Sequence, residues 1–182
     1  MYFCGMIWRK EVSAVPNDNL QILPAFEYRQ QIADLFGEYT RTLIDLDAEF
    51  ADYLSLQNYD DEVANLEHKY APPAGALYIA LIDGEAAGCV GIKKINDTDC
   101  ELKRLYVRPR YRGRGLGSTL TRLAIQRAKE IGYKAMFLDT LPGLQSAVKM
   151  YKGLGFEEIA SYNGSPMTNL IYLRLNLNCY GE

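Results

Sequence analysis

The stretch RPRYRGRGLGSTL, residues 108–120, sets four arginines among three alternating glycines, just ahead of an apolar run with helical spacing. Residues of these types in this order can hold an anion. The first amides of a helix are unpaired and lie at the positive end of its dipole, and glycine lets the backbone approach a ligand with no Cβ in the way. The nucleotide patterns do not fit. A P-loop ends in Gly-Lys-Ser/Thr, and Gly117-Ser118 has no lysine; the dinucleotide fingerprint needs a sixth-position glycine where Ser118 stands. Nucleic-acid binding through Arg-Gly phosphate contacts would call for stacking aromatics, and only Tyr106 and Tyr111 are near. A solvated basic face would explain the arginines but not three glycines at a helix entry.

The charge is concentrated there. Residues 102–129 carry nine Lys/Arg and no acid, in a chain whose net charge is −3. An anion is therefore expected at the middle of the chain and not elsewhere. The 182 residues, 48% apolar and 24% charged, suit one soluble globular domain over 1–182 with a core of about 20–177. The apolar run Ala76 to Ile82 is too short to cross a bilayer. The opening MYFCGMIWRK places its charges after its apolar residues, unlike a signal peptide. Cys4, Cys89, Cys100 and Cys179, with the single His68, have the spacing of neither a metal site nor a disulfide framework. A cytoplasmic protein without a metal, a membrane segment or a nucleic-acid partner is the expectation.

The elements that must position the loop follow from periodicity. LQILP reads as a short strand, and EYRQQIADLFGEYTRTLIDL as a helix with Ile32, Leu35, Phe36, Tyr39 and Leu43 on one stripe. AEFADYLSLQNYDDEVANLE reads as one or two further helical pieces, closed by APPAG. ALYIALIDGEAAGCVGIKKI is a hairpin turning at Asp83-Gly84, and CELKRLYV is a third strand ended by Pro109. The helix after the loop buries Leu116, Leu120, Leu123, Ala124, Ala128 and Ile131 and ends at Gly132. KAMFLDT is a buried strand, Pro142 opens a helix ending near Gly155, and NLIYLRLNL is a half-buried strand reached through the NGSP turn. The order is β-α-α-β-β-β-α-β-α-β-β. The strands flanking the Leu116 helix must be parallel.

RGRGLG matches the Gln/Arg-x-x-Gly-x-Gly/Ala signature of the GNAT superfamily of acetyl-CoA-dependent N-acetyltransferases, with Arg112, Gly115 and Gly117 at the signature positions. ELKRLYVRPRYRGRGLG, LDTLPGLQSAVKMYKGLGF and the element order also resemble that superfamily. The resemblance implies an α/β (α+β) fold with a mixed, mostly antiparallel sheet of about six or seven strands and about four helices. It implies that the backbone of Arg112, Gly113, Arg114, Gly115, Leu116, Gly117 and Ser118 holds the pyrophosphate of coenzyme A. Leu105, Tyr106 and Val107 would pair with the pantetheine arm like an added strand. No metal is implied.

Acetyl transfer needs an amine freed of its proton, a stabilised oxyanion and a proton for the leaving thiolate. By resemblance, Tyr151 is the donor: AVKMYKGLGF sets Ala147, Tyr151, Gly155 and Phe156 in the family pattern, with Ala147 and Tyr151 at the cofactor. Spacing alone is equally served by a core aromatic on a stripe with Ala147 and Leu154. Glu101, eleven residues before Arg112, has the offset of the glutamate base of the histone-modifying branch. A salt bridge to Lys103 or Arg104 would serve that position as well. The backbone N–H of Val107 or its neighbour would face the oxyanion.

The acceptor is an amine of a small molecule or peptide. Residues 1–75 hold 13 acids and five bases, Asp45, Asp47, Glu49, Asp52, Asp60, Asp61 and Glu62 among the acids; these would draw a cation or simply be wet helix faces. Tyr39, Tyr162 or Tyr172 could line the cleft, and His68 reads as structural. A coenzyme A-binding sensor without turnover is the alternative. The final strand could pair two subunits into a homodimer.

Overall fold

Strands and helices fold into a helix–sheet–helix sandwich. The structure is a computed structural model and describes residues 19–52 and 59–181. The opening MYFCGMIWRK, Cys4 and residues 53–58 of the second helical stretch lie outside the described residues. The strands are β1 (Leu20–Pro24), β2 (Ala76–Ile82), β3 (Glu85–Lys94), β4 (Asp99–Val107), β5 (Ala135–Thr140), β6 (Glu157–Ile159) and β7 (Ile171–Asn176). The helices are α1 (Arg29–Leu46), α2 (Tyr59–Ala64), α3 (Leu66–Tyr70), α4 (Leu116–Ile131) and α5 (Gln145–Gly153), with a 3₁₀ turn at Pro109–Tyr111. The sheet runs β1-β2-β3-β4-β5-β7-β6 and is antiparallel except where β4 meets β5, the two strands joined through α4. This is the mixed, mostly antiparallel α+β sheet expected from the sequence.

Local chemistry accounts for the frame. Asp83 and Gly84 both take positive φ, 51° and 81°, the two-residue turn whose twist suits a hairpin. On one face α4 and α5 bury Leu116, Leu120, Ala124, Ile125 and Tyr151 against Ile92, Cys100, Leu102, Met136 and Leu138. On the other, Ile32, Leu35 and Phe36 of α1, with Leu66 and Tyr70 of α3, cover Leu77, Ile79 and Cys89. Each such leucine contributes about 1.5–3 kcal/mol on burial. Gly91 admits the Tyr70 ring: a Cβ there would lie 2.6 Å from Tyr70 Cε1.

Three expectations need adjusting. The last helix starts at Gln145 rather than Pro142, because Leu141 is buried and the Leu144 amide turns back to its carbonyl. In α4 the buried stripe takes in Ile125, Thr119 and Thr121, while Leu123 and Ile131 are half-buried. Thr121 is tolerated there because its hydroxyl donates to the Gly117 carbonyl at 2.8 Å. Finally, β7 is not an edge strand: it pairs along its whole length with β5 and over Tyr172, Leu173 and Arg174 with β6, and the edge strands of the sheet are β1 and β6. Among the described residues no helix is long and apolar enough to cross a membrane.

Candidate active site

β4 and β5 pair over three positions, Asp99↔Ala135, Cys100↔Met136 and Glu101↔Phe137. Beyond them β4 runs on to Val107 and β5 to Thr140 without pairing, and the sheet opens between them. A cleft continuous with solvent fills the opening. Leu102, Leu105, Leu138 and Tyr151 line it from the α4/α5 side, and Tyr39 reaches it from α1. It therefore passes through the sheet, with a ligand entrance possible from either layer.

A bulge shapes the β4 wall. Gly91 pairs with Lys103 but Cys89 pairs with Tyr106, so three steps of β4 oppose two of β3. Arg104 takes φ 56° there, a left-handed value costing a non-glycine residue on the order of 1–3 kcal/mol. Its side chain explains the position. Arg104 Nε and Nη2 donate to Glu62 Oε1 and Oε2 at 2.6 and 2.9 Å, and both residues are buried. Tyr70 Oη and Lys69 Nζ also donate to Glu62, at 2.7 and 2.6 Å. Glu62 is thus neither a wet helix face nor a lure for a cation. The signal in the sequence was its spacing of four and eight from Leu66 and Tyr70, on the apolar face.

The loop before α4 has the geometry its glycines suggest. Gly113 and Gly115 take φ 75° and 80°, and Gly115 stands at the helix N-cap. The helix begins at Leu116, so the amides of Leu116, Gly117 and Ser118 belong to the unpaired first turn. A Cβ on Gly117 would lie 3.6 Å from Met150 Sδ and 3.9 Å from Val107 Cγ2. The loop, the end of β4 and α5 thus converge, with Ala147 and Tyr151 on the same helix as Met150. The residues present fit a diphosphate held by backbone amides. The arginines are less committed to an anion than their number implies. Arg108 is paired with Glu38 at 2.7 Å and Arg110 with Glu85. Arg112 Nε donates to the Val107 carbonyl at 2.8 Å, its guanidinium lying 5.7 Å from the Tyr106 ring centroid. That bond spans the open edge of β4, while the Arg108 amide turns back to Ala87 of the β3 side. Val107 therefore presents its own N–H to the cleft edge.

Tyr151 is buried, packed edge-on against Phe156 at 5.6 Å, and faces the cleft. Burial, with Tyr39 and Asp139 adding to it, holds its phenol well above the usual range, so it stays protonated. Glu101 stands where the β4–β5 pairing ends and does not line the cleft. It accepts the Tyr162 hydroxyl at 2.6 Å and lies 3.5 Å from both Lys93 and Lys103. Lys103 and Asp139 do line it, 3.4 Å apart, and Asn163 donates to Asp139 at 3.1 Å. Asp139 was passed over in the sequence; its signal was a carboxylate set opposite Met136 and Leu138 in an otherwise apolar strand. Of the three tyrosines named for the cleft, Tyr39 lines it, while Tyr162 and Tyr172 meet edge-on at 5.6 Å behind Glu101. His68 is exposed beside Asp61, at 3.3 Å. Among the described residues no cluster of His, Cys, Asp and Glu could hold a metal ion.

The model of the acetyltransferase (GNAT) family matches residues 34–156. An uncharacterized N-acetyltransferase of Schizosaccharomyces pombe is 43% identical over 132 residues, which is 71% of this chain and 81% of that protein. A Streptococcus agalactiae acetyltransferase superposes with a TM-score of 0.71 at 21% identity, over 86% of this chain and 98% of its own. An acetyltransferase from Bacillus anthracis, solved in complex with acetyl coenzyme A, is 30% identical with a TM-score of 0.51, over 59% of this chain and 65% of its own.

Proposed function

This chain belongs to the acetyltransferase (GNAT) family, an acetyl-CoA-dependent acyltransferase, and on that premise we propose how its cleft moves an acetyl group to a primary amine. The observation that carries the reading is the parting of β4 from β5, with Tyr151 lining the opening and the glycine loop following the end of β4. The backbone amides of Arg112 to Ser118 hold the pyrophosphate at the α4 N-terminus. The unpaired edge of Leu105 to Val107 receives the pantetheine arm, and Ala147 and Tyr151 close over it. The thioester supplies an activated acyl carbon, and attack by the amine is direct, in a ternary complex. The Val107 N–H, facing the cleft edge, stabilises the oxygen as charge develops there. Tyr151 gives its proton to the departing sulfur.

An amine of ordinary basicity, with pKa near about 10.4, must lose a proton before it attacks. Glu101, which stands behind Lys103 and does not line the cleft, takes it through intervening water. Glu101→Gln is expected to alter the acid limb of the pH–rate profile while leaving acetyl-CoA affinity unchanged; an identical profile moves the base elsewhere.

Calorimetry with acetyl-CoA tests the whole reading. Gly115→Val, forced to φ 80° at the helix entry, should weaken binding about tenfold or more, from a penalty on the order of 1–3 kcal/mol. Equal heats for the two proteins would show that the loop is not the binding site. Binding without amine-dependent thiol release would favour a sensor.

A further inference from the structure

The ionisable groups on the acceptor side of the cleft set four cations against three carboxylates, and that charge selects the kind of amine. Lys103 and Asp139 line the cleft. Lys103 Nζ is 3.4 Å from Asp139 and 3.5 Å from Glu101, at the long end of contact with both. Their side chains are 13%, 10% and 5% exposed. Lys93 stands against Glu101 as a second cation, and beyond the β4 bulge Arg104 and Lys69 stand against Glu62. Among these described residues no negative charge is in excess. A simple alkylammonium would add an uncompensated charge to this set, which partial desolvation disfavours. A zwitterion adds none.

We propose that the acceptor is an α-amino acid, its carboxylate on Lys103 and its ammonium on Asp139. The inference rests on the acetyl-transfer reading above and fills in its acceptor. The 3.4 Å between the two protein groups suits a ligand whose own charges flank one carbon. Leu43, Phe50, Leu141 and Leu170 line the same cleft, so the surroundings suit an apolar side chain. The reaction balances as ammonium plus thioester giving amide, thiol and one released proton: the C–N bond forms, the C–S bond breaks, one amine proton replaces that given by Tyr151 to sulfur, and the other leaves to solvent.

L-phenylalanine and 2-phenylethylamine differ only in the carboxylate and are the probes. Each is tested for thiol release with acetyl-CoA and, by NMR line broadening, for binding to the protein loaded with coenzyme A. Phenylalanine is expected to win by at least about tenfold in both readouts, a difference of about 1.4 kcal/mol. Lys103→Met should erase the preference, Lys103→Arg should keep it, and Asp139→Asn should weaken both amines. Equal performance of the two probes, no binding of either, or a preference surviving Lys103→Met would overturn the inference. Acetyl-CoA heats that persist in that case leave the reading beneath intact; no heat with acetyl-CoA would remove that reading instead.

Discussion

Glu62→Gln is expected to lower the stability of the fold by about 3–5 kcal/mol, because it strands a buried guanidinium. Arg104 and Glu62 are both buried, and the same carboxylate also receives Tyr70 and Lys69. Burial pushes the Glu62 carboxyl up, but the Arg104 hydrogen bonds and charge, with Lys69, outweigh it and hold the group at about 2. The Arg104 guanidinium is pushed up in turn by Glu62, against its own desolvation. A carboxyl whose folded value lies below its unfolded value of about 4.3 stabilises the protein above that pH, and the contribution is lost as the pH falls toward the folded value. The wild type should therefore lose stability between about pH 4.3 and 2 through this group, and Glu62→Gln should lack that component. Urea titrations across that range read both effects. Replacing the pair together, Glu62→Met with Arg104→Met, should recover most of the loss, since a buried ion pair and an apolar pair of similar volume are of comparable stability. A single variant as stable as wild type would show that the pair does not hold the bulge.

Tyr151→Phe is expected to lower kcat by about 10²–10⁴-fold while the Kd for acetyl-CoA stays constant. The substitution removes one oxygen and keeps the ring, so its packing against Phe156 and the body of the α5 face persist. Because burial holds the phenol above its ordinary value, the group remains a donor across the neutral range, and no loss of rate from its ionisation is expected below about pH 10. Single-turnover measurement at saturating amine isolates the step. Undiminished turnover would take Tyr151 out of the chemistry and leave it a core aromatic. A matched loss of affinity and rate would assign it to holding the ligand.

Features written in neighbouring residues were legible and features written across the fold were not. Gly113, Gly115 and the run from Leu116 are consecutive, so loop, cap and helix could be read together. The parallel pairing of β4 and β5 followed from the helix between them. Arg104 and Glu62 lie 42 positions apart, and two charged residues on separate elements look like surface until their burial is seen. The arginines of the loop were overread for the same reason: the partners of Arg108 and Arg110, Glu38 and Glu85, sit on other elements. The start of α5 was misplaced because proline favours a helix entry, while burial of Leu141 made Pro142-Gly143 part of a turn instead. Asp139 meets Lys103 across strands that have already parted, a proximity no local pattern encodes.

The three residue pairs that join β4 to β5, with the Thr98 carbonyl that accepts from Lys134 and Ala135, form a narrow backbone seam between the half of the sheet that runs from β1 and the half that ends at β6. A long ligand lodged beyond that seam touches both halves and works as a splint across it. Cutting the chain at the exposed end of α4 would then leave two fragments joined by that seam and by the apolar contacts of α4 and α5, whose reassembly should be favoured by the very molecule the cleft was built to hold.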